Sequence, residues 1–194
     1  MAAQNLVLVT RSDNGKQFKV STTKIVEFKA QSGAHTLLTY IDQRGKVDHR
    51  MVTETAAAIN ALTGSRTQLV TLRNSVATPI YINSDRIIYI DPLNLGCRIT
   101  YDISGNRGKY NQPPIFIDVV ETAGTVNTAA GNTGAIAQYN GVLRYVNGDN
   151  IDLVVHNPDA TPSWEILYDD RKPEFTKIIA SSGSAYLSLG SGWA

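Results

Sequence analysis

A mainly β, β-rich α+β fold built from three tandem modules is what the sequence predicts, and three observations carry the prediction. An apolar strand introduced by a tight turn occurs three times, around Ile25, Ile87 and Ile151, at offsets of 62 and 64 residues. A second apolar strand ending in Tyr and Asp follows each one. Asn-Gly and Ser-Gly pairs punctuate short alternating runs, which is the chemistry of hairpin turns. Recurrence at a fixed period is the mark of a repeat architecture.

The first anchor reads Phe18-Lys19-Val20-Ser21-Thr22-Thr23-Lys24-Ile25-Val26-Glu27-Phe28, then Ile80-Tyr81-Ile82-Asn83-Ser84-Asp85-Arg86-Ile87-Ile88-Tyr89-Ile90, then Arg144-Tyr145-Val146-Asn147-Gly148-Asp149-Asn150-Ile151-Asp152-Leu153-Val154. The second reads Leu38-Thr39-Tyr40-Ile41-Asp42, Ile99-Thr100-Tyr101-Asp102 and Ile166-Leu167-Tyr168-Asp169. Extended segments precede each pair, at Leu6 to Arg11, Leu69 to Arg73 and Ile136 to Asn140. Period-two alternation of Ile80, Tyr81 and Ile82, and of Ile88, Tyr89 and Ile90, supports strands. Asn14-Gly15, Ser104-Gly105, Asn140-Gly141 and Asn147-Gly148 are the expected hairpin turns.

A helix closes the first module. Ala56 to Leu62 is rich in good helix formers, Thr53 or Thr55 can cap its free amides, and Gly64 suits the stop. The matching stretch after Val119-Val120-Glu121-Thr122-Ala123 is weakened by Gly124, Thr125 and Val126. In the third module Ser181-Ser182-Gly183-Ser184 takes its place, so the helix is expected to be lost or replaced by a strand through Tyr186 to Leu189. Each module therefore reads as four strands, with a polar loop before the fourth. Boundaries fall at the Gly64-Ser65-Arg66-Thr67 stretch and the Gly/Asn/Thr-rich stretch from Thr125 to Gly134, giving modules 1–64, 65–131 and 132–194. Four strands bury little surface alone, whereas stacked copies bury more.

Composition bounds the function. Hydrophobic residues at 42% and charged residues at 18% describe a globular chain rather than a disordered one. A net charge of +1 lacks the basic excess of a nucleic-acid binder, so nucleic acid is not an expected partner. The single Cys97 allows no internal disulfide and sits in an alternating apolar run, where a buried, inert thiol is expected. No apolar stretch approaches the ~18 residues of a membrane span. Met1 to Val9 lacks the charged start of a signal peptide, so a reducing, soluble compartment or release by lysis is expected.

No catalytic, cofactor-binding or metal-binding residue is expected. His35, His49 and His156 stand apart from one another and from metal-ligand spacings, with His35 beside a strand, His49 in a polar loop and His156 before the Asn157-Pro158 turn. Asp42, Asp102 and Asp169 recur, but each precedes a turn whose backbone it can bond. Gly131-Asn132-Thr133-Gly134 has no lysine and opens no helix, so it is no phosphate loop. Ser184 and Ser191 are not set on a strand-to-helix elbow. The candidate binding residues are Ala2, Ala3, Gln4 and Asn5 in the N-terminal segment and Trp193 in the glycine-rich tail, since aromatics in tails anchor interfaces. Trp164 is expected in a strand and core.

The run Ile82-Asn83-Ser84-Asp85-Arg86-Ile87, followed by Ile99-Thr100-Tyr101-Asp102 and Val120-Glu121-Thr122, resembles a short β-rich unit of small virion proteins from tailed phages, especially marine and cyanobacterial ones. A similar pattern occurs in a small flagellar-operon protein family. The resemblance touches all three modules, and the missing helix of the third departs from it. It implies a virion structural protein with no enzyme role, most concretely a capsid decoration or cement protein. Such a protein is made in the host cytoplasm, lies on the capsid surface, and binds the major capsid protein or other virion proteins. A head–tail connector or tail component is the alternative within that class. Self-association is compatible, and three fused modules could imitate a trimer at a three-way junction of capsomers. From another class, a nucleic-acid-binding or regulatory module would present Lys16, Lys19, Lys24, Lys29, Arg44, Lys46 and Arg50 as its contact face.

Overall fold

The computed structural model describes residues 6–64, 67–74, 76–103, 114–131, 136–139, 142–147, 151–157, 163–168 and 178–181. Strands dominate, and every strand pair is antiparallel where its register is defined. Two compact units emerge: Met1–Arg86 with Asp102–Ile115, and Ile87–Tyr101 with Phe116–Ala194.

The first unit starts with a hairpin of β1 (Leu6–Thr10) and β2 (Gln17–Ser21). The expected Asn14-Gly15 turn closes it: Gly15 holds a φ of 67°, and Asn14 Oδ1 accepts from the Lys16 amide at 3.0 Å. A meander of β3 (Ile25–Ala30), β4 (Thr36–Ile41) and β5 (Val47–Val52) follows, then helix α1 (Ala56–Thr63). Thr55 caps that helix by accepting from the Ala58 amide, and Gly64 ends it at a φ of 63°. The first hairpin is tied to the end of the meander. Arg11 bridges to Val52, and both Glu54 carboxylate oxygens accept from the Thr10 amide at 2.9 Å. Val7, Val9, Val20, Ile25, Phe28, Leu38, Val52, Ala56 and Ile59 form the buried core of this unit, with Phe18, Tyr40 and Tyr81 packed against it. At roughly 1.5–3 kcal/mol for each large apolar side chain, that cluster is the main stabilising term.

The fifth strand corrects the expectation of four per module. The first module has five strands before its helix, and the last of them reaches back into the expected polar loop around His49: Val47–Val52 pairs with β4 over six positions, from Ile41 opposite Val47 to Thr36 opposite Val52. Its polar residues find cross-strand partners. Tyr40 donates to Asp48 Oδ2 at 2.9 Å, and Thr39 Oγ1 lies 3.0 Å from His49 Nδ1. His49 is therefore a strand residue.

The hairpin β6 (Thr67–Leu72) and β7 (Thr78–Asn83) also belongs to the first unit. It does not stand alone: β7 lies along β3, with Ile82 opposite Glu27 and Tyr81 opposite Phe28. The strand order is β6-β7-β3-β4-β5.

The second unit has the same plan. Its meander is β8 (Ile87–Pro92), β9 (Cys97–Tyr101) and β10 (Ile115–Val119), followed by helix α2 (Ala123–Ala129) capped by Thr122. Helix α2 starts directly after its cap despite the glycine in its first turn, runs one residue less than α1, and is held by the cap and by buried Ala123 and Val126. The next hairpin, β11 (Ile136–Tyr139) and β12 (Val142–Val146), lies along β8, with Tyr145 opposite Ile90 and Val146 opposite Tyr89. The order is β11-β12-β8-β9-β10. A third meander, β13 (Ile151–Asn157), β14 (Ser163–Tyr168) and β15 (Ile178–Ser181), completes the described chain and places His156 and Trp164 in strands. The expected strand through Tyr186 to Leu189 lies outside the described residues, as do the Ser104-Gly105 and Asn140-Gly141 turns.

In all three meanders the ladder slips at the start of the first strand: between Ile25 and Glu27, between Ile87 and Tyr89, and between Ile151 and Leu153. A bulge adds local twist and re-aims the strand. Asn147-Gly148 was expected as a hairpin turn. Its Gly148 lies outside the described residues; Asn147 follows β12, which pairs with β11 and β8, whereas β13 pairs with β14.

Candidate functional site

The feature that recurs with specific chemistry is the junction between a meander and the hairpin that follows it in sequence. In the first unit Asn83 ends β7 with its side chain buried. Its Nδ2 donates to the Ile25 carbonyl at 2.7 Å and to the Thr22 carbonyl at 3.2 Å, while its Oδ1 accepts from the Asp85 amide at 3.0 Å. The carbonyls it meets belong to the 3-10 turn before β3 and to the bulge at the start of β3, where regular ladder bonds fail. Arg86 reinforces the contact, donating to the Thr23 carbonyl at 3.0 Å. Across the strands Phe28 and Tyr81 stack, with ring centroids 4.8 Å apart and planes 11° off parallel.

In the second unit Asn147 takes the same role. Its Nδ2 donates to the Ile87 carbonyl and its backbone amide to the Ile88 carbonyl, both at 2.9 Å. The rest of that junction is ionic. Arg144 on β12 makes a bidentate pair with Asp91 on β8, through Nε to Oδ1 and through Nη2 to Oδ2, the latter at 2.8 Å. Its guanidinium also lies 4.0 Å from the Tyr89 ring centroid. Asp91 sits opposite Arg98 on β9, and Arg98 pairs with Asp118 on β10 at 2.7 and 3.0 Å. Asp118 holds the Arg98 guanidinium above its ordinary range by hydrogen bonding. A row of alternating charge thus crosses four neighbouring strands, β12-β8-β9-β10.

The remaining chemistry is local. Asp42 Oδ1 accepts from the amides of Arg44 and Lys46, both at 2.8 Å, and these bonds, that of Lys46 foremost, hold its carboxyl below the usual carboxylate range. That is the turn role expected for it. Asp102 donates its amide to the Arg86 carbonyl at 2.9 Å, and Asp169 lies outside the described residues. Cys97 is buried, and burial pushes its thiol up to about 12. Burial, then the Asp48 contact, pushes the Tyr40 phenol up. His35 accepts the Gln31 amide through its carbonyl, so it closes the β3–β4 turn. Among the described residues no three His, Cys, Asp or Glu side chains gather at a metal-binding distance, and no helix is long and apolar enough to cross a membrane.

The residues singled out from sequence as binding elements, Ala2, Ala3, Gln4, Asn5 and Trp193, lie outside the described residues, as do Ser184 and Ser191. Of the basic set, Lys29 sits opposite Leu37 near one end of β4, Lys46 precedes Val47 opposite Ile41 at the other, and Arg50 is paired with Asp48 at 2.9 Å. The junction itself went unrecognised from sequence, although Asn83 and Asn147 stand at the same place in two anchors, four residues before the recurring isoleucine. Compared with protein-family models, curated proteins and solved structures, the chain matches none.

Proposed function

We propose that this chain is a non-enzymatic structural protein made of three tandem modules, each a hairpin followed by a bulged meander, and that it works by joining β-strand edges. One observation carries the reading: in both compact units a hairpin completes the preceding meander in one register, locked by a buried asparagine amide. The bulge at Ile25, Ile87 and Ile151 supports the three-fold count, because it falls on the residues that recur in the sequence. Strand addition is a recognised mode of protein–protein attachment, in which backbone hydrogen bonds give affinity and alternate side chains give selectivity.

Joined to the resemblance to phage virion proteins, this reading makes the chain a capsid decoration protein that binds the major capsid protein at the virion surface. Low charge and exposed apolar side chains such as Leu6, Leu8, Leu69 and Phe116 suit a protein that lies on other proteins. Cryo-electron microscopy of the particle that carries this chain tests it by counting and locating copies. Hundreds of copies over the shell are expected. A ring at one vertex would move the chain to the connector or tail, and absence from the particle would overturn the virion reading.

A further inference from the structure

The two junctions have one register. The third residue from the anchor isoleucine, Glu27 or Tyr89, faces Ile82 or Val146, and the fourth, Phe28 or Ile90, faces Tyr81 or Tyr145. The third anchor strand, β13, has the same bulge after Ile151, yet among the described residues it pairs with β14 alone. At the other end of the chain β2 holds the sequence position of β7 and β12, yet among the described residues it pairs with β1 alone. One chain thus carries an acceptor edge and a donor edge of the kind its own interior joins twice.

The geometry points to head-to-tail association of this protein with itself: the β1–β2 hairpin of one copy adds antiparallel to β13 of a second copy, setting Val20 opposite Leu153 and Lys19 opposite Val154. This rests on the modular reading proposed above. The occupant is a second copy because the internal junctions supply the template for that pairing and because the charges match. Residues 1–64 carry 8 basic and 5 acidic side chains, a net of +3, and residues 132–194 carry 4 and 7, a net of −3. Opposite net charges favour the encounter of donor end and acceptor end and oppose donor with donor. The contact is heterologous, so it propagates into a chain or closes into a ring.

The donor edge differs from the internal ones at one informative position. Ser21 stands where Asn83 and Asn147 stand, and its hydroxyl lies 2.9 Å from Thr23 Oγ1. A hydroxyl has one proton to donate where the amide has two, so the clamp on the bulge carbonyls is weaker. The intermolecular junction is accordingly reversible and concentration-dependent while the internal ones are permanent.

The test uses the full chain in two forms. In the double variant Lys19→Cys with Val154→Cys, mild oxidation is expected to give a ladder of dimers and higher species on a non-reducing gel, and Cys97, being buried, stays out of the exchange. A cross-linked monomer, showing closure within one chain, or no cross-link at all would overturn the proposal. In Ser21→Asn, sedimentation velocity is expected to show association tightened by about tenfold, the worth of one restored hydrogen bond. Unchanged sedimentation would overturn it. Asn83→Ala separates the two levels: if it lowers stability while Ser21→Asn changes nothing, the modular reading stands and the docking fails. If it leaves stability unchanged, the modular reading fails first.

Discussion

The two compact units share a strand order and a junction register, but they fill the same positions with different chemistry. In the second unit Arg144, Asp91, Arg98 and Asp118 run across β12-β8-β9-β10 as alternating charges. At the matching positions of the first unit stand Ile80, Lys29, Leu37 and Met51, where Lys29 faces Leu37 and Leu37 faces Met51. Where the second junction has an arginine over a tyrosine, the first has stacked Phe28 and Tyr81. What is common to both is the bulge and the asparagine that serves its carbonyls. The backbone problem is therefore fixed and the side-chain solution is free: a bulge leaves carbonyls outside the ladder, and a buried amide satisfies them whatever packs alongside.

The sharpest difference lies in the first turn of each meander. Five residues join β3 to β4, and four join β8 to β9. In the shorter turn Gly96 holds a φ of 84°, and a Cβ there would sit 1.9 Å from the Val119 carbonyl oxygen. In the longer turn Gly33 has a φ of 76°, but a Cβ would meet nothing closer than 3.7 Å. Gly96→Ala is expected to cost at least ~3 kcal/mol, by left-handed strain plus a clash with fixed backbone. Gly33→Ala is expected to cost about 1–2 kcal/mol from strain alone. Urea titration of both variants checks the ratio, and equal losses would show that the two turns are equally constrained.

The junction asparagines come next. Asn83→Ala strips two carbonyls and one amide of their partner in a buried site, for a cost of about 2–3 kcal/mol. Asn147→Ala leaves the backbone bond to Ile88 in place and removes the side-chain bond to the Ile87 carbonyl in a buried site, so a loss of at least about 1 kcal/mol is expected. Unchanged stability in both variants would mean that the amide is not what secures these hairpins.

Charge gives a third contrast. Asp91→Asn leaves Arg144, a side chain only 9% exposed, without its carboxylate. A loss of about 1–2 kcal/mol is expected, less than for a fully buried pair because the Asp91 side chain is 22% exposed. Wild-type stability should fall when salt is raised to about 1 M, through the second unit, and Asp91→Asn should blunt that response. Tyr81→Leu in the first unit should cost about 0.5–1.5 kcal/mol and leave the salt response intact.

Much of this plan is written in local patterns, and the rest is not local. The isoleucines that recur in the sequence stand at the bulges, and Thr55, Gly64 and Asn14-Gly15 do what their chemistry predicts. The full length of β5 escaped because Asp48, His49 and Arg50 break the apolar alternation and read as loop. Asp48 and His49 are served across the ladder by Tyr40 and Thr39, a fact no window of β5 contains. The exchange of hairpins escaped for a deeper reason. Periodicity says that β6 and β7 are strands, but a hairpin that begins one module fits its own meander or the previous one equally well by pattern. Asn83 and Asn147 held the clue, yet asparagine before a turn reads first as a turn former.

The smallest effect concerns the turn after β4, which begins at Asp42 and has no described counterpart after β9. The Lys46 and Arg44 amides bond the Asp42 carboxylate and hold its pKa below the ordinary value. Because the folded value lies below the unfolded one, the stabilisation is fully present above the unfolded pKa and is lost as pH falls through the folded pKa. Asp42→Asn keeps an acceptor oxygen but no charge, so it should lower the urea midpoint slightly near neutral pH, with the gap closing as pH falls through the folded pKa of the wild-type carboxyl. A gap that stays constant as pH falls would assign the effect to turn geometry and leave no part for the charge, which would make this turn, like the asparagine clamps, a matter of backbone satisfaction alone.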